Sequence, residues 1–310
     1  MSGLALKGPY WVAARQHRRA LWGVPAVVAA GLVAVVALRS WAEGPNSGGA
    51  GGPVPNDGYQ MLRLCMEYAG TCLLFLPLLV GAFVAGPVTA RELESGTWRL
   101  ALTQSTTPKT WLGSKVAVAA AVSVLGGAAL AGVYRLGWAR VTGSYQLHWA
   151  DRGVYEASGP VLVAYCLLGV ALGVLVGQLV RRTLAAMALT GMLTGLVMLG
   201  LGALRWSLLP VETATMPVRG NLFEVLPSSA LLTDTGLLTS TGERLPEYAC
   251  FERTRHLSTC PSDMDVTGWY VEFHPVSHYW PTQLLESSLV LALAGAALFF
   301  AFRLVGARRA

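Results

Sequence analysis

The sequence predicts an all-α integral membrane protein with six transmembrane helices, and three observations carry that prediction. Of its 310 residues, 54% are hydrophobic and only 13% charged, against roughly 25% charged in soluble domains. The charges leave long runs empty, and a charged side chain at mid-bilayer costs roughly 2.5 to 3.5 kcal/mol even on the lenient insertion scale. Lys and Arg crowd into short segments on one side of the alternating spans.

The first run lies between Arg19 and Arg39 and predicts a span over about 20–38. Its 19 residues exceed an ordinary signal-peptide core, and no small-residue cleavage pattern separates it from Arg39. The next four runs lie between Glu67 and Arg91, Lys115 and Arg135, Glu156 and Arg181, and Arg182 and Arg205, giving spans over about 68–90, 111–134, 157–180 and 183–204. Each can cross a hydrocarbon core of ~30 Å at ~1.5 Å per residue. The sixth run, Glu286 to Arg303, holds 16 residues and predicts a span over about 284–302. Tyr279 and Trp280 before it and Arg303 after it read as interfacial anchors.

Lys and Arg counts set the orientation. With the N-terminus inside, 13 of the 23 basic residues fall in short cytoplasmic segments, and the other ten spread over more than twice that length. Both termini are therefore expected in the cytoplasm. The formal charge of +6 then reports topology and gives no reason to expect nucleic acid as a partner.

Between the spans, residues 40–58 are too rich in Gly and Pro to hold a helix. Trp138, Trp149 and Tyr155 in the second outside loop, about 137–159, read as interfacial aromatics. The third outside segment, 205–282, carries nine acidic residues and five arginines and is too small to be called an independent domain. It contains Cys250 and Cys260, where an oxidising compartment allows a disulfide without requiring one; closing that loop would stabilise by roughly 2 to 3 kcal/mol. Gly169, Gly173 and Gly177 line one face of the fourth span, and Gly191 and Gly195 repeat the spacing once in the fifth. Such faces let helices approach closely, within one chain or across a dimer. Pro77 predicts a kink in the second span.

The segment Ala90–Lys115, between the second and third spans, mixes Leu93, Trp98, Leu100 and Leu102 with Arg91, Glu92, Glu94 and Arg99. It reads as an amphipathic helix in the membrane interface, interrupted at Gly96, its charges toward a soluble partner and its apolar side on lipid. Thr107 and Pro108 read as the N-cap and first residue of the third span.

Leu76–Lys115, LPLLVGAFVAGPVTARELESGTWRLALTQSTTPKTWLGSK, resembles the corresponding region of actinobacterial permeases of the ABC type 2 exporter superfamily. RQHRRAL at Arg15–Leu21 is similar to their basic entry to the first helix, and HPVSHYWPTQLLE at His274–Glu286 to their pre-helix segment, with His278 where they tend to carry a basic residue. The resemblance implies a plasma-membrane permease paired with a second permease chain, in a homodimer or a heterodimer. It implies a separate ABC ATPase that binds ATP and Mg, and transport outward. Carried over residue by residue, Arg91, Glu92, Glu94, Gly96, Thr97, Arg99 and Gln104 are the coupling residues.

The chain itself lacks a GxxxxGK[ST] phosphate loop, so no catalytic residue or cofactor is expected in it. No metal is expected either: His274 and His278 offer two ligands where a structural zinc takes four. None of the five histidines falls within a predicted span, which leaves no intramembrane protease site; Glu67 and Gln178 come nearest to polar sites in the membrane. The alternative to a transporter is a non-transporting sensor or assembly factor that binds a ligand or partner through 205–282.

Overall fold

The structure, a computed structural model, describes residues 18–43, 57–98, 107–143, 147–218, 225–227, 229–254 and 260–307, together with Trp11 and Arg15. It divides into two compact units: Met1–Arg205 with Gln283–Ala310, and Trp206–Thr282.

The first unit holds α1 (Arg18–Ala42), α2 (Asp57–Leu79), a π-helical stretch (Val80–Ala85), α3 (Gly86–Glu94), α4 (Pro108–Val141), α5 (Val154–Ser158), α6 (Val161–Val180), α7 (Thr183–Leu204) and most of α9 (Tyr279–Ala307). Six helical stretches are long and apolar enough to cross a membrane, among them the continuous Asp57–Glu94 and Val276–Ala307. The last extends beyond its charge-free run, with Glu286 inside the helix and fully buried.

Burial ranks the helices. In α6, 78% of the most apolar window is buried, against 6% in α1. A helix apolar all round belongs at the centre, and glycines let α6 sit there. A Cβ on Gly169 would lie 2.9 Å from the Pro77 carbonyl oxygen, on Gly173 2.8 Å from the Gly86 nitrogen, and on Gly177 3.0 Å from the Ala90 nitrogen. From α7, Gly191 and Gly195 would similarly approach Ala82 and Leu78 at 3.4 and 3.0 Å. Both glycine faces therefore grip the second span of the same chain.

That second span changes its winding where the glycines meet it. Gly86 donates its N–H to the carbonyl of Gly81, five residues back, and Pro87, next in line, has no N–H to donate. A missing donor releases the usual i→i−4 pattern, and π-bulges accommodate it. Pro77 lies inside α2, whose α-helical winding continues to Leu79 before the π-helical stretch begins, and Thr89 Oγ1 donates across to the Val174 carbonyl at 3.3 Å. α4 starts as the sequence predicts: Thr107 Oγ1 accepts from the Thr110 amide at 3.2 Å and Pro108 takes the first position.

The second unit corrects the all-α expectation outside the spans. Trp206–Thr282 is compact and contains β1 (Glu212–Pro217), β2 (Leu231–Thr239), β3 (Arg244–Pro246) and β4 (Val266–His274) in one antiparallel sheet of order β1-β4-β2-β3, with α8 (Ala249–Thr254) between β3 and β4. Thr235 pairs with Val271 and Leu237 with Leu245, and Leu237, Val271 and Phe273 are buried. β4, VTGWYVEFH, has the β-branched and aromatic content of a strand. The β2–β3 turn closes on Gly242 at φ 83°, a backbone state that glycine adopts without strain. Cys250 and Cys260 are joined as a disulfide. The glycine- and proline-rich stretch 44–56 lies outside the described residues.

Candidate functional site

The segment singled out by sequence is described over its first part, 90–98, and from Thr107 onward; residues 99–106 lie outside the described residues. Ala90–Glu94 is the last turn of the second span, α3, and the helix ends through Ser95 at Gly96, whose φ of 74° is the left-handed state that commonly closes helices. Trp98 packs against Trp111, Leu112, Val174, Ala301 and Val305, a core drawn from α4, α6 and α9, so its apolar surface meets protein.

The two acidic residues bond to neighbouring helices, Glu92 from a half-buried position and Glu94 from an exposed one. Glu92 accepts from Lys115 Nζ at 2.5 Å and from the Trp111 indole at 3.0 Å, both on α4. Lys115 also donates to the Val88 carbonyl at 3.4 Å, and its ammonium lies 5.2 Å from the centre of the Trp111 ring. Glu94 accepts from the Thr183 amide at 2.9 Å and the Thr183 hydroxyl at 2.5 Å, placing a carboxylate at the start of α7. An anion there meets the positive end of the helix and its unused amides. The tip of the second span is thus tied to the third by Glu92 and to the fifth by Glu94. Arg91 and Thr97 are exposed, with the Thr97 hydroxyl 2.9 Å from that of Ser95. Arg99 and Gln104 lie outside the described residues.

At the opposite end of α7 stands a polar cluster that sequence reading passed over. Arg205, 3% exposed, donates from Nε to Glu286 Oε2 at 2.7 Å, and from an Nη to Glu156 Oε1 at 2.7 Å and to Glu286 Oε1 at 3.0 Å. Glu156 Oε2 accepts from the Gly153 amide at 2.7 Å, and Glu286 Oε1 also accepts from the Tyr165 hydroxyl at 2.6 Å. The guanidinium lies 3.9 Å from the centre of the Tyr155 ring. Burial, with Glu286 close by, pushes the Tyr155 phenol well above its ordinary range. Gln283 completes the enclosure, donating to the Tyr155 carbonyl at 2.7 Å and accepting from the Val161 amide at 3.2 Å. α5, α6, α7 and α9 meet here, so Tyr155 and the buried Trp149 are packed within protein instead of at a lipid interface.

A signal existed: Glu156, Arg205 and Glu286 are the boundary charges of the fourth, fifth and sixth spans on one side, and they carry opposite signs. Of the two residues proposed from sequence as intramembrane polar sites, Gln178 is buried and Glu67 half-buried.

In the second unit the paired histidines form a hydrogen-bonded relay. His274 Nε2 faces the Trp206 carbonyl at 3.0 Å, which makes that nitrogen the donor and leaves Nδ1 to accept from His278 Nδ1 at 3.0 Å. His278 Nε2 lies 3.7 Å from Glu212. Burial holds His274 below its ordinary value, the Trp206 hydrogen bond opposing and His278 adding to the shift. Among the described residues no group of three His, Cys, Asp or Glu could hold a metal ion.

Six apolar helices of spanning length, packed through glycine faces, define a multi-pass membrane protein. Residues 55–205, just under half of the chain, match the family model described as ABC-2 membrane transporter related, and this match supports an ABC-2 type permease. It takes in Arg91–Thr97, Glu156 and Arg205 and stops short of Glu286. Comparison with curated proteins and with solved structures gave no match.

Proposed function

We propose that this chain is the permease subunit of an ATP-driven ABC exporter of the plasma membrane, of the actinobacterial kind its three sequence blocks resemble. A separate ATPase binds ATP and Mg, a second permease chain completes the transporter, and both termini are cytoplasmic. The substrate is amphipathic or hydrophobic, in keeping with spans of Ala, Leu, Val and Gly.

The observation that carries this reading is the tip of the second span. Arg91 and Thr97 are exposed for a partner, while Glu92 and Glu94, one and three residues beyond Arg91, hold the same turn to α4 and α7. Force applied at Arg91 would therefore reach three spans through two hydrogen-bonded joints. Arg91→Glu should abolish co-purification of the ATPase and ATP-dependent efflux while membrane insertion stays intact. Unchanged co-purification and efflux would sink the assignment.

A non-transporting sensor or assembly factor is the second reading, favoured by the compact, disulfide-linked sheet of the second unit. Deleting 212–274 separates the two. Efflux that survives the deletion supports the exporter, and loss of a bound partner without any ATP-dependent efflux in the intact chain supports the sensor.

A further inference from the structure

The start of α4 and the end of α9 line an open groove of about 620 Å³ that the transport reading does not use. Pro108 and Lys109 line it on one side, and Phe300, Phe302, Arg303 and Leu304 on the other. That volume falls within the ~300–1,000 Å³ of small-ligand sites. Both walls belong to one unit, and they lie close: a Cβ on Gly306 would sit 3.7 Å from Lys109 Cε.

The lining is chemically divided. Lys109 and Arg303 are exposed, and among the described residues neither has a carboxylate within ion-pairing distance, although other exposed arginines such as Arg244 and Arg253 are paired. The Arg303 guanidinium is 5.3 Å from the centre of the Phe299 ring. Phe300, in the lining, and its neighbour Phe299 are 57% and 54% exposed and add apolar surface on the same helix. Two cations with no carboxylate partner among the described residues, beside an apolar groove at the end of two membrane spans, match one ligand: a phosphate head with an acyl chain attached. Basic pockets between transmembrane helices bind acidic lipid headgroups for this reason.

We propose that this groove binds an anionic phospholipid, with its phosphate between Lys109 and Arg303 and an acyl chain along Phe300 and Phe302. The site rests on the membrane-spanning character of the chain and stands or falls separately from the transport reading. It would also fasten the third span to the sixth at the end where Trp98 packs.

Native mass spectrometry of the full chain in detergent, with phosphatidylglycerol and phosphatidylcholine of equal chain length, tests it. Phosphatidylglycerol should be retained in preference. At about 1 kcal/mol for each basic residue near the surface, Lys109→Gln or Arg303→Gln should weaken it roughly 5-fold, and the double variant roughly 30-fold. Arg140→Gln, an exposed arginine at the far end of α4, should leave retention unchanged. Equal retention of the two lipids, an unaffected double variant, or an equal loss in Arg140→Gln would overturn the site. Glycerol phosphate and inorganic phosphate form the last arm: displacement of the lipid by either at matched concentration would assign the groove to a free phosphate compound and refute the lipid.

Discussion

At one end of α7, Arg205 joins Glu156 and Glu286 with side-chain exposures of 3%, 6% and 0%; at the other, Glu94 caps the same helix in contact with solvent. Both ends pair carboxylates with positive partners, yet they work differently. In the buried cluster the surroundings screen little, so breaking one link strands a charge where water cannot reach it. At the exposed end water substitutes for a lost partner, and a contact can open at small cost. Glu92 with Lys115, at side-chain exposures of 18% and 6%, stands between the two. The difference teaches that the Arg205 end is built as a lock and the Glu94 end as a joint.

The largest effect should come from unlocking the cluster. Arg205→Met leaves two carboxylates without their cation and should destabilise the membrane unit by about 3–5 kcal/mol, read as a lowered thermal unfolding midpoint in detergent. Glu156→Gln with Glu286→Gln in that background should recover part of the loss. A midpoint equal to wild type would reduce the lock to an incidental contact.

Next comes the glycine grip on which both ends depend. Gly173→Val drives a side chain against Ala85 and Gly86 and should cost about 1–3 kcal/mol through overpacking. Gly200→Val, at a position with open space around it in α7, should cost far less. Equal costs at the two sites would argue against the packing seen around the second span.

At the joint, Glu92→Gln keeps an acceptor for the Trp111 indole and weakens the hold on Lys115. Its expected stability loss is about 1–2 kcal/mol, smaller than that of Arg205→Met. Combined with Glu94→Gln, it should lower ATP-stimulated efflux while the ATPase still co-purifies, because Arg91 and Thr97 remain. Loss of co-purification in this pair would instead make the carboxylates part of the partner contact.

The smallest effect belongs to the histidine relay of the second unit. His274 titrates below its ordinary value, so the unfolded chain binds the extra proton first. The relay's contribution is therefore present above about pH 6.5, the ordinary imidazole value, and fades as pH falls through the lower folded value. Hydrogen exchange of the β4 amides should be slower at pH 7.5 than at pH 5.5 after correction for intrinsic rates, and His274→Gln should flatten that difference.

How much of this was legible in the sequence follows from the range of the interactions. Charge spacing marks spans because the cost of a buried charge is local, and Thr107–Pro108 marks a helix start because capping lies within one turn. Glu286 shows what that rule leaves out: it edges a charge-free run yet lies inside α9, where Arg205, 81 positions earlier, neutralises it. The glycine spacing announced close packing without naming a partner, because the second span reaches α6 from another part of the chain. In the second unit, VTGWYVEFH carries a strand's composition, but β4 pairs with β1 and β2 across intervals that no local pattern encodes.

The sequence by itself determined a membrane protein, its helical spans and the stretch around Glu92 and Glu94 as the place to look, since hydropathy and charge act residue by residue. Only the tertiary structure decided that those two carboxylates bond to α4 and α7, that Arg205 gathers Glu156 and Glu286 into a buried cluster, and that Lys109 and Arg303 line one groove. Each of these is a meeting of distant side chains, and its energy exists only once the chain has folded around it.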